Sequence, residues 1–130
     1  MTADKIVADA SAIAAIVFDE PRRAEMEARL IGAMLHAPAL IDVEMASVCL
    51  KKLRDRAYPR NIVLRMYAAY DRLAMNTTDV DLPDVVLLAE KAGLSLYDAC
   101  YAWLARKLNA ELVTADIKLE KMFRALSSAY

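Results

Sequence analysis

The stretch Ile6-Val7-Ala8-Asp9-Ala10-Ser11, running on into Ala12-Ile13-Ala14-Ala15-Ile16, decides how the rest of the chain is read. The first apolar run is too short for a helix and is followed at once by a helical apolar pattern. It therefore predicts a buried strand feeding a helix that starts at Ala12, with Ser11 as the cap. Asp9 then stands at the carboxyl end of that strand. In open parallel α/β sheets ligands bind in the crevice beyond those ends, so a carboxylate there can hold a cation or a water. The same residue serves equally well as the polar opening of a strand-to-helix turn, because short polar side chains hydrogen-bond nearby backbone.

Working outward, the first helix runs to Asp19 and stops at Glu20-Pro21. A second is expected from Arg22 to Gly32, with Pro21 suited to a first helical position. Met34 to Leu40 is another apolar segment, a short strand whose Pro38 marks its end or an edge. Asp42 can cap a long helix to about Ala57, with Ala46, Cys49, Leu50, Leu53 and Ala57 on its apolar face. A helix from Asn61 to Met75 completes a hairpin across Tyr58-Pro59. Thr78 to Pro83 alternates polar and apolar residues and predicts a third strand. A helix from Asp84 to Ala92 closes on Gly93, and the next opens at Ser95 and runs to about Asn109. Glu111 to Thr114 is a fourth strand, and Ile117 to Ser127 a terminal helix. Strands alternating with helices predict a single domain over residues 1–130: a three-layer α/β/α sandwich around a central, mainly parallel sheet.

Composition narrows the function classes. A chain of 130 residues can bury about two-thirds of its unfolded surface without staples. Cys49 and Cys100 lack a C-x-x-C spacing, and no leader pattern precedes them, so a reduced, cytoplasmic protein is expected. Charged residues interrupt every segment, and no apolar run approaches the ~18 residues of a membrane span. The net charge of -1 offers no general attraction to a polyanion, so nucleic acid would have to be met by local basic clusters. His36 is the single histidine, and no Ser-His or Cys-His pair stands out as a nucleophile.

Three further acids could meet Asp9. Asp98 lies three residues after Ser95, where it completes a capping box, yet it shares a face with the small Ala102 and Ala105, which would let its helix approach the sheet edge. Asp116 can cap the last helix, or mirror Asp9 at the end of the fourth strand. Glu44 points away from the apolar face assigned to its own helix, where a solvated glutamate is the ordinary explanation.

Taken together, Asp9-Ala10-Ser11, His36-Ala37-Pro38 with Glu44 beyond, Leu96-Tyr97-Asp98-Ala99 and Leu112-Val113-Thr114-Ala115-Asp116 resemble the PIN-domain nucleases, and among them the VapC-type toxins of prokaryotic toxin–antitoxin pairs. The resemblance covers essentially the whole chain. It implies a ribonuclease dependent on Mg2+ or Mn2+, in which Asp9, Glu44, Asp98 and Asp116 hold the ion and perform catalysis, while Ser11 and Thr114 orient carboxylates or water. Oxygen-only ligands suit such hard cations. It also implies an RNA substrate, a cognate antitoxin and a homodimer. Lys51, Lys52 and Arg54 on the helical hairpin could track phosphates or bind an acidic antitoxin segment, or form a solvated mixed-charge face. The chain departs from the pattern after Asp116, where Ile117-Lys118-Leu119-Glu120 adds no aspartate. It departs again at Ser127 to Tyr130, which leaves little room for a last edge strand. The competing reading is a PIN-like module that binds protein or RNA without catalysis, and retention of all four acids argues against it.

Overall fold

Ile6, Val7 and Ala8 are all buried, so β1 (Lys5–Ala8) is covered on both faces, as a central parallel strand must be. The computed structural model describes residues 4–129, with side chains as far as residue 126. After β1 come α1 (Ala10–Val17), α2 (Arg23–Leu30), β2 (Met34–Pro38), α3 (Ile41–Asp55) and α4 (Arg60–Ala68). A 3-10 helix (Ala69–Leu73), β3 (Asn76–Thr78), α5 (Leu82–Ala92), α6 (Leu96–Lys107), β4 (Glu111–Val113) and α7 (Ile117–Ala129) follow. Every strand pairing is parallel, and the sheet order is β3-β2-β1-β4. The protein is thus a three-layer α/β/α sandwich.

That order positions the site. The chain steps from β1 to β2 to β3 in one direction, then returns past β1 to lay β4 on its other side. With right-handed crossovers, the helices of the outward steps cover one face and those of the return cover the other. The reversal falls between β1 and β4, and the crevice beyond the carboxyl ends of those two strands is where an open α/β sheet binds ligands. Val7 pairs with Leu112 and Ala8 with Val113, which brings Asp9 and Thr114 to that crevice together. Beneath it, Val7, Ile13, Met26, Ile41, Met45 and Tyr101 belong to one continuous core. A smaller cluster of Val85, Ala99 and Cys100 joins α5 to α6.

Several element boundaries differ from the sequence expectation. The first helix starts at Ala10, two residues early, because the Asp9 side chain accepts the Ala12 amide and is itself the cap in place of Ser11. The second begins at Arg23, leaving Pro21 in the preceding turn. Pro38 ends its strand, which is interior and not an edge. Asp42 does not cap α3: the cap is Leu40, and Asp42 in the first turn accepts the Tyr70 hydroxyl at 2.7 Å. The expected Asn61–Met75 helix tightens into the 3-10 turn after Ala68 and stops at Ala74, whose φ is 51°. The third strand is Asn76–Thr78, ahead of the expected Thr78–Pro83. Leu82 and Pro83 instead open α5, and the partly buried Val80 packs into the smaller cluster. Residues 127–129 extend α7, so the described residues hold no fifth strand.

Candidate active site

Asp9 is 6% exposed and Thr114 is fully buried, and they are the only buried polar or charged side chains among the described residues. The contacts of Asp9 show how the pair is held. Its Oδ1 accepts the Ser11 hydroxyl at 2.7 Å and the Ala12 amide at 3.0 Å, while Oδ2 accepts the Thr114 hydroxyl at 2.6 Å. Both hydroxyl protons are then spent on Asp9, so the 3.1 Å separation of Ser11 Oγ and Thr114 Oγ1 has none left to share. Each hydroxyl oxygen also accepts a backbone amide across the crevice, Ser11 from Ala115 and Thr114 from Asp116, both at 3.0 Å. The turn after β1 and the turn after β4 are thereby one hydrogen-bonded unit.

The other acids converge on it. Asp116 caps α7, accepting the amides of Lys118 at 2.9 Å and Leu119 at 3.3 Å, and remains exposed. Asp98 lies in the first turn of α6, where its own amide donates to the Ser95 hydroxyl at 3.1 Å. That is the outward half of the expected capping box, and the Asp98 carboxylate is partly buried. Glu44 does not point away into solvent as its helical pattern suggested. The buried stripe of α3 is Ile41, Met45 and Cys49, while Leu50 is 45% and Val43 72% exposed. Glu44 follows Ile41 by three residues and so flanks the inward face, half-buried, with Oε1 accepting the Tyr101 hydroxyl at 2.6 Å.

Burial and mutual repulsion set the electrostatics. Burial pushes the Asp9 carboxyl above the ordinary carboxylate range. Its hydrogen bonds to Thr114, Ala12 and Ser11 pull against that shift, and Asp98 adds to it. Glu44 is raised by burial and then by Asp9 and Asp98, with the Tyr101 hydroxyl opposing. Asp98 is raised by burial and by Asp116, against Ser95 and Lys118. The four acids are therefore electrostatic neighbours, and their repulsion favours a bound cation.

The donors fit a hard divalent ion. Asp9 uses three of roughly four carboxylate lone pairs on the protein, which leaves one on Oδ2. Among the described residues no three His, Cys, Asp or Glu side chains form a ready metal-holding group. Magnesium keeps several of its waters, so a few carboxylates holding it in part through water satisfy its needs.

Sequence reasoning missed three residues around the site. Tyr101 lies three positions after Asp98 on α6, a spacing that signals a shared helical face. Tyr70 anchors Asp42. Arg22 donates to the Ala115 carbonyl beside the site while paired with Glu25 at 2.7 Å, and nothing local in Pro21-Arg22 announces that contact. Lys51 lines a groove between α1 and α3 that reaches Ala10 and Ser11. Lys52 is held 3.4 Å from Glu20 and over the Phe18 ring, so its charge is already partnered. Arg54 is exposed. No helix among the described residues is long and apolar enough to cross a membrane.

A four-stranded parallel sheet with this acid set at its switch point defines the class, and residues 6–124 match the PIN domain. The chain belongs to the PIN-domain family and groups with its VapC members. It is 34% identical over 129 aligned residues to Ribonuclease VapC3 of Pyrobaculum aerophilum, covering 94% of this chain and 97% of that relative. It is 38% identical over 122 residues to Ribonuclease VapC9 of Mycobacterium tuberculosis, covering 88% and 87%. The crystal structure of PAE2754 from Pyrobaculum aerophilum superposes with a TM-score of 0.70 over 97% of this chain and 98% of that one. At 23% identity that likeness speaks for the fold alone.

Proposed function

We propose that the chain is a Mg2+- or Mn2+-dependent endoribonuclease, the toxin of a toxin–antitoxin pair, acting in the cytoplasm as a homodimer. The observation that carries this reading is the acid set itself: Asp9, Glu44, Asp98 and Asp116 come from four separate elements to one strand-end crevice, and burial or repulsion raises three of them. The ribonuclease names of the relatives give the substrate class.

In this reading the four carboxylates hold the ion, and Ser11 and Thr114 fix both oxygens of Asp9 so that its remaining lone pair has one direction. A bound ion supplies positive charge that orients and acidifies water and neutralises the reacting phosphate. The protein's part is to hold the carboxylates aimed, while the water oxygen forms a bond to phosphorus and the bond to the leaving oxygen breaks. Lys51 and Arg54 would meet the RNA backbone or an acidic antitoxin segment that covers the crevice.

Purified protein should cleave single-stranded RNA in magnesium or manganese, stop in chelator, and lose activity in Asp9→Asn. Its expression should arrest growth, and co-expression of the partner should relieve the arrest. Cleavage that persists in chelator and is undiminished in Asp9→Asn rules the mechanism out.

A further inference from the structure

We infer that Tyr101 is a positioning residue that acts through Glu44, its hydroxyl holding the carboxylate of α3 in the orientation an ion requires. The inference rests on the reading above that Glu44 holds the ion.

The observations come from both partners. The first turn of α3 carries both Asp42 and Glu44, and each carboxylate is anchored from outside the helix. Two tyrosines from other elements are the anchors. Tyr70 of the 3-10 helix donates to Asp42 at 2.7 Å, and Tyr101 of α6 donates to Glu44 at 2.6 Å. Tyr101 is 2% exposed and belongs to the main core, so its ring has no freedom and its hydroxyl is aimed by packing. A glutamate has three side-chain torsions, and ordering it costs rotamer freedom. A rigid donor meets that cost before any ligand arrives.

The placement on α6 couples the contact to the site. Tyr101 follows Asp98 by three residues, so one face of one helix supplies both a carboxylate and the anchor of another. With one lone pair of Glu44 Oε1 taken by the hydroxyl, Oε2 keeps both of its own for an ion. Partners that orient a metal ligand in this way change metal affinity by about 10- to 100-fold when removed. The Tyr70–Asp42 pair has the same chemistry on the same helical turn, but Asp42 is exposed and is not one of the acids in the crevice. It is an internal control.

The test is Mn2+ affinity, measured by electron paramagnetic resonance on the full chain for wild type, Tyr101→Phe, Tyr70→Phe, Glu44→Gln and the Tyr101→Phe/Glu44→Gln double variant. Tyr101→Phe should bind Mn2+ about 10-fold more weakly. Tyr70→Phe should match wild type, and the double variant should bind no worse than Glu44→Gln. The inference is overturned if Tyr101→Phe binds as wild type does, if Tyr70→Phe is weakened equally, or if the tyrosine effect recurs in full without Glu44. Should Tyr101→Phe not fold, wild type labelled with 13C at the tyrosine phenolic carbon gives the answer. Added Mg2+ should move the Tyr101 resonance and leave that of Tyr70 in place, and a stationary Tyr101 signal overturns the inference. Wild type that binds no Mn2+ removes the metal reading as well, whereas normal wild-type binding with an unaffected Tyr101→Phe removes only this one.

Discussion

Asp9 illustrates how one side chain serves two purposes at once. It caps α1 through Oδ1 and ties that helix to the turn after β4 through Thr114, so its ionised form is used structurally even without a ligand. Thr114→Val keeps the volume and removes the hydroxyl, which leaves Asp9 short of a donor and the Asp116 amide short of an acceptor. A loss of about 1–3 kcal/mol is expected, read as a lower denaturant midpoint. Asp98 shows what burial costs such a charge. Because burial and Asp116 raise its proton affinity in the folded state, the folded protein binds that proton more tightly than the unfolded chain. Stability is therefore lost as pH rises from the unfolded carboxylate value, about 3.9, through the raised folded value, and the penalty is complete above it. Asp98→Asn escapes this penalty, and the backbone amide of residue 98 that donates to Ser95 is kept by the substitution. In chelator the variant should melt above wild type at neutral pH, with the gap closing toward pH 3. Equal melting across that range would mean Asp98 carries no such strain.

Among the elements, α3 and α5 end alike with different residues. Both terminate in the left-handed region, α3 on Arg56 at φ 54° and α5 on Gly93 at φ 68°. A Cβ at Gly93 would meet nothing within 4 Å, so Gly93→Ala tests backbone strain alone. It should cost about 1 kcal/mol, and Arg56→Gly should recover up to a similar amount, both measured by urea unfolding. The inward stripe of α3 matters more for function. Ile41, Met45 and Cys49 set the helix's rotation about its own axis, and that rotation turns Glu44 inward toward Tyr101. Truncating Met45 to Ala should cost about 2–5 kcal/mol through lost burial and the cavity left behind. Ribonuclease activity measured well below the melting point should fall along with it if the rotation of α3 aims Glu44. Activity that survives the loss of stability would detach the one from the other.

At the scale of the whole molecule, the return of the chain past β1 creates the crevice, and the acids fill it with like charge. Folding therefore assembles a repulsive site that an ion would relieve. Magnesium at about 100 times its dissociation constant should stabilise the wild type by about 2.7 kcal/mol, raising the melting temperature by on the order of 10 °C. Asp9→Asn should respond far less, since it removes the most buried of the proposed ligands. A melting temperature indifferent to magnesium and manganese in the wild type would count against the site as an ion binder.

The sequence alone was enough for the layered α/β class, the order of its elements, and Asp9 and Asp116 at strand ends, because each rests on local signals: a short apolar run, a change of period, a polar residue at a turn. Asp98 was legible for the same reason, since Ser95 three residues earlier marks where its helix begins. Glu44 could be placed only by family likeness, and its helical pattern argued the wrong way. The many apolar residues of α3, including Val43, Ala46 and Leu50 on the exposed side, permit more than one inward face. Which face wins is decided by packing against α1 and α4 and by Tyr101, and none of these is near Glu44 in sequence. The third strand was displaced for a similar reason: Asn76–Thr78 has no apolar alternation of its own and exists because β2 offers it hydrogen bonds. Tertiary structure alone decided the contacts that join Asp9 to Thr114, Arg22 to Ala115 and Tyr101 to Glu44, for these span 57 to 105 residues of chain and depend on how strands and helices come to lie side by side.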